Sequence, residues 1–117
     1  MFKTIMIVDD EEDNRITVRD ILESNGYKVV TAVDGDDCLK KLKRVKPALI
    51  LMDLMMPGTP VSLVVREIPE IKIAYLTVMK TSDSEREILT RAENVVAFIQ
   101  KPFEIDYFLK MIKKLVG

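Results

Sequence analysis

Five short apolar runs recur along the chain: KTIMIVD (3–9), KVVTA (28–32), ALILMD (48–53), KIAYLT (72–77) and VVAFIQ (95–100). Stretches with helical spacing follow them. This alternation constrains the fold more than any other feature. Continuous apolar strands rich in Ile, Val and Leu are covered on both faces, and intervening helices supply the cover.

The punctuation agrees. Residues 12–25 carry Ile16, Val18, Ile21 and Leu22 at helical spacing, and Asn25-Gly26 provides a left-handed stop. Asp34 is placed to cap a helix from Gly35 to about Arg44, with Cys38, Leu39 and Leu42 inward. Residues 61–67 form a short helix that stops before Pro69. Ser82 and Glu85 match a capping box opening a helix to about Glu93. Residues 104–116 form the last helix, with Ile105, Phe108, Leu109, Ile112 and Leu115 on one face. The fold class is therefore α/β. It is a doubly wound, five-stranded parallel sheet with helices on both faces, most simply in the order 2-1-3-4-5. The 117 residues make one domain, 1–117.

Composition removes whole classes of function. The chain has no histidine, so imidazole bases, histidine metal sites and phosphohistidine chemistry on this chain are excluded. One cysteine, Cys38, forms no internal disulfide, which fits a reducing compartment. The net charge is −1, so no global field draws the protein to nucleic acid or to a membrane surface. Acids appear within nine residues of the start, unlike a secretory leader, and a cytoplasmic location is expected. The apolar methionines Met52, Met55, Met56 and Met79 read as packing.

A doubly wound sheet collects ligands beyond the carboxyl ends of its strands, where the strand order reverses. That places Asp9, Asp10, Asp53, Thr77 and Lys101 together. Crowded carboxylates repel and need a cation. Oxygen ligands without His or Cys favour a hard ion such as Mg²⁺, with Mn²⁺ as a substitute. Such an ion lets a phosphate-bearing molecule approach an acidic site, and a carboxylate can then act as nucleophile.

Four motifs stand in order on this pattern: IMIVDDEED after residue 4, LILMDLMMPG from Leu49, YLTV from Tyr75 and FIQKPF from Phe98. Together they resemble the receiver domain of the two-component response regulator family, whose fold is flavodoxin-like. The resemblance implies that Asp53 accepts a phosphoryl group. It implies that Asp10, Asp53 and the backbone carbonyl of Met55 hold the metal, with Asp9 acting through water. Thr77 and Lys101 would hold the phosphoryl group, Lys101-Pro102 would be cis, and Phe98 would be the aromatic switch. The implied partner is a sensor histidine kinase or phosphotransfer protein. A downstream protein would read the surface of the fourth helix, fifth strand and fifth helix. The implied state is a monomer or weak dimer without direct nucleic-acid or membrane binding. The protein would be a switch rather than a turnover enzyme.

Three departures from the family pattern stand out. Only 24 positions separate Asp53 from Thr77, so the third helix is expected to be shortened or partly irregular, with less cover on its sheet face. Val78 follows Thr77 where the family prefers a very small residue, and is expected to crowd the phosphoryl pocket. Met55 and Met79 are apolar at positions that tune phosphoryl lifetime, so slow hydrolysis is expected.

Competing readings have discriminating features. An Asp-nucleophile phosphatase places its acid after the first strand and carries a cap. A nucleotide-binding protein needs a glycine-rich loop after that strand. A receiver excised from a larger regulator, or a receiver-like binding module that is never phosphorylated, shares every motif above.

Overall fold

The computed structural model describes residues 3–78 and 80–116. Ten elements alternate: β1 (Thr4–Val8), α1 (Glu12–Glu23), β2 (Lys28–Ala32), α2 (Gly35–Lys41), β3 (Leu49–Met52), α3 (Val61–Glu67), β4 (Ile73–Thr77), α4 (Asp83–Leu89), β5 (Val95–Gln100) and α5 (Ile105–Val116). The strands form one sheet in the order β2-β1-β3-β4-β5, as expected. All four pairings are parallel. Ile73 faces Val95 while Ala74 faces Ala97, so Val96 is an extra residue that bulges the β5 edge.

Strand side chains alternate between faces, and the core divides accordingly. On β3, Ile50 and Met52 join one cluster with Cys38, Val61, Val64 and Val65 of α2 and α3. Leu49 and Leu51 join the other with Val18 and Leu22 of α1 and Phe108 and Ile112 of α5. Each fully buried aliphatic or aromatic side chain contributes about 1.5–3 kcal/mol, so both faces bear on stability.

The punctuation behaves as read. Asp34 Oδ1 accepts the backbone N–H of Asp37 at 2.8 Å. Ser82 and Glu85 form the reciprocal capping box. Gly26 takes φ 90°, ending the α1 connection in the left-handed region. The Lys101-Pro102 peptide is cis.

Several expectations are corrected. Helix α2 ends at Lys41 rather than near Arg44, and α4 at Leu89 rather than near Glu93. Helix α3 is short but regular, and its face of the sheet is covered. Val61, Val64 and Val65 are buried, and Ile68 and Ile71 extend the cover past the helix end. Ile105 is 53% exposed, because the α5 stripe runs through Phe108, Ile112 and Val116 at four-residue intervals. Ile16 lies at the edge of the α1 stripe and is exposed, whereas Val18 and Leu22 are buried. Met55 is exposed rather than packed, while Met52 is buried and Met56 partly so. Met79 lies outside the described residues.

Candidate functional site

The sheet ladder continues one residue past β1, β3 and β5 and thereby positions the site. The N–H of Asp9 donates to the carbonyl of Ala32 at 3.1 Å. The N–H of Asp53 donates to Val8 at 3.0 Å, and that of Lys101 to Thr77 at 2.8 Å. Apolar strand residues anchor in the core, and the first polar residue after each strand is held at the rim. An acid so placed has backbone order without a buried side-chain environment on every side.

Asp9, Asp10 and Asp53 converge. One carboxylate oxygen from each lies within 4.8 Å of the other two. Asp9 and Asp53 are buried and Asp10 is exposed. Three acids this close repel at neutral pH, so the cluster is a natural receptor for a cation. The donor set is all oxygen, which fits a hard divalent ion such as Mg²⁺.

Each carboxylate is oriented by its surroundings. Asp9 Oδ1 accepts the N–H of Glu11 at 2.9 Å. Asp9 Oδ2 lies 3.3 Å from Lys101 Nζ, in a pair whose side chains are 5% and 14% exposed. Asp53 Oδ1 accepts the N–H of Met55 at 3.0 Å, a tight local turn that fixes the carboxyl group and sends the Met55 side chain outward. Helix α1 begins at Glu12 with Glu11 at its N-cap position, whose side chain makes no capping bond, so neither Asp9 nor Asp10 occupies the cap position itself.

Thr77, fully buried, ends β4 beside this cluster. Val78, next to it, is 58% exposed and stands at the open rim. Phe98 is half-buried on β5. Its ring meets Tyr75 edge-on, with centroids 6.0 Å apart, and the Arg86 guanidinium carbon sits 4.4 Å from the ring centroid. The aromatic is therefore held from two elements, β4 and α4.

Three contacts were not read from sequence. Arg15 Nη1 donates to the carbonyl of Asp9 at 2.7 Å, tying α1 to the β1 end. Arg86 covers Phe98. Lys101 is paired with Asp9 across 92 positions. The placement of Arg15 one turn into α1 is the only local signal among these.

A sheet of this order with an acidic trio at its reversal point, a threonine on the next strand and a lysine after the last defines a receiver. The response regulator receiver domain model matches residues 5–113, and the chain belongs to that family. Among curated relatives, the polar-differentiation response regulator DivK of Brucella anthropi is 32% identical over 124 residues. That match spans all of this chain and 98% of DivK. The alkaline phosphatase synthesis transcriptional regulatory protein PhoP of Bacillus subtilis is 34% identical over 105 residues. It matches 88% of this chain, which spans only 44% of PhoP. Among solved structures, the Vibrio cholerae chemotaxis protein CheY4 superposes with a TM-score of 0.86 at 26% identity, covering 98% of this chain and 99% of its own. The response regulator TrrA of Thermotoga maritima, solved with Mg²⁺–BeF, superposes with a TM-score of 0.84 at 30% identity. That match covers 97% of this chain and 99% of TrrA. No helix among the described residues is long and apolar enough to cross a membrane.

Proposed function

We propose that this receiver is a phosphorylation-controlled switch in which Asp53 is the phosphoacceptor. The observation that carries the reading is the convergence of Asp9, Asp10 and Asp53 within 4.8 Å beside Lys101. The donor is the phosphohistidine of a sensor kinase or phosphotransfer protein, since this chain has no histidine of its own.

Asp53 Oδ1 is engaged by the Met55 N–H, so attack is assigned to Oδ2. Oδ2 forms a bond to phosphorus while the N–P bond of the donor breaks, and its electron pair leaves with the imidazole. Asp10, Asp53 and the Met55 carbonyl are assigned to hold Mg²⁺, with Asp9 acting through water. The bound ion supplies neutralisation of the carboxylates and of the phosphoryl oxygens. Lys101 exchanges part of its pairing with Asp9 for the phosphoryl group, and the Thr77 hydroxyl donates to that group.

The phosphoryl group adds a charge of about −1.5 to −2 at the rim. Thr77 is drawn toward it, and Phe98 follows, leaving Arg86. The reading surface is then the face of α4, β5 and α5, where Ile88, Val96 and Tyr107 are exposed. Such a change is a shift between two populations and needs no turnover chemistry.

Intact-protein mass after incubation with Mg²⁺ and a small acyl phosphate tests this. One added phosphoryl group is expected in the wild type, and none in Asp53→Ala or with chelator. An adduct that persists in Asp53→Ala overturns the assignment.

A further inference from the structure

A second concave site lies away from the acidic cluster, between α3 and α4. Its cavity volume is about 450 Å³, within the range of about 300–1,000 Å³ typical of small-molecule pockets. Both flanking helices have seven residues, and the groove lies between them. Tyr75 forms the floor. Val65, Leu89 and Ala92 form apolar walls, and Arg66 and Arg91 stand at the mouth.

The polar groups share one character. Arg66 and Arg91 are exposed and form no ion pair among the described residues. No acid lines the cavity. Tyr75 is 2% exposed overall and lines the groove. Burial pushes its hydroxyl up to about 12, so at neutral pH it is a proton donor. Cationic donors at the mouth, with apolar walls beneath, call for a ligand that brings an anionic acceptor and an apolar body.

We propose that the α3–α4 groove binds a small amphipathic anion, an arene carboxylate in class, with its carboxylate against Arg66 and Arg91 and its ring between Val65 and Leu89. Tyr75 also touches Phe98, so an occupied groove would bear on the ring that stands beside the rim. Binding to the unphosphorylated chain does not require Asp53 to be a phosphoacceptor.

The probe is 2-naphthoate, titrated into the ¹⁵N-labelled full chain and followed by amide shifts. Saturable shifts are expected at Ser62, Arg66, Ile88 and Arg91. Charge-assisted hydrogen bonds contribute about 1.5–3 kcal/mol, or about tenfold and more in affinity. The neutral 2-naphthylmethanol is therefore expected to bind at least about tenfold more weakly, and so is 2-naphthoate to the Arg66→Gln/Arg91→Gln double variant. Both arginines are exposed, so that variant is expected to keep the wild-type spectrum elsewhere. Three results would each overturn the proposal: no saturable shifts at the groove, equal affinity for the neutral analogue, or unchanged affinity in the double variant.

Discussion

The side-chain amide of Asn94 donates to the carbonyl of Ile68 across 3.1 Å, joining the start of β5 to the end of α3. The same nitrogen reaches Ile71 at 3.2 Å and Val65 at 3.4 Å. Meanwhile the Asn94 carbonyl accepts the N–H of Ile73 at 2.8 Å. One residue thus adds a second donor to the carbonyls of Val65 and Ile68, which also accept the N–H groups of Ile68 and Ile71, and supplies one to the carbonyl of Ile71. Replacing Asn94 with Ala removes these bonds in a part-buried setting. The expected loss is about 1–3 kcal/mol of stability, read as a lowered urea midpoint with unchanged slope. A change below about 0.5 kcal/mol would mean that water replaces the amide without cost.

The close approach of α2 and α3 rests on Gly35. A Cβ added there would lie 2.6 Å from Cγ2 of Val64, which is fully buried and branched and so has little room to yield. Gly35→Ala is therefore expected to cost about 1–3 kcal/mol by overpacking, despite the higher helix propensity of Ala. In a Val64→Ala background the same change is expected to cost less. A thermodynamic cycle of the four proteins measures this, and strict additivity would refute the steric account.

These two residues also mark where the sequence stops being legible. Strand positions, and with them the strand-end location of Asp9, Asp53 and Lys101, follow from local patterns: apolar runs, capping residues and turn glycines; the sheet order follows from the rules for parallel crossovers. Asp34 and the Ser82–Glu85 box act within three residues of themselves, so they were readable. Asn94 acts on residues 23 to 29 positions away, and Lys101 meets Asp9 across 92. Nothing in local spacing encodes such partners. Met55 and Ile105 fail for a related reason. Hydrophobicity assigns them to the core, but the Asp53 turn and the start of α5 point them to solvent.

Tyr75 gives a pH-dependent signature. Burial raises its hydroxyl from 10.0 to about 12, so the unfolded chain ionises there first. Its contribution to stability is present in full below pH 10 and is lost as pH rises toward 12. The stability of the wild type relative to Tyr75→Phe is expected to fall across that window, by about 2 kcal/mol for a shift of this size. Chemical denaturation of both proteins at several alkaline pH values checks the sign. A constant difference would place the hydroxyl in contact with water.

Lys101 competes with a divalent ion for the same negative charge. It neutralises Asp9 at 3.3 Å in a pair that is largely shielded from solvent. Removing its charge leaves the acidic trio uncompensated and more attractive to a dication. Lys101→Met is thus expected to bind Mg²⁺ more tightly than the wild type, even as phosphorylation of Asp53 is lost. Asp10→Asn is expected to bind it more weakly, by about 10- to 100-fold or more, since a lost ligand costs no less than a lost supporting group. Calorimetric titration with Mg²⁺ separates the two roles without any phosphoryl donor. Weaker binding in Lys101→Met would show that the lysine organises Asp9 for the metal instead of opposing it.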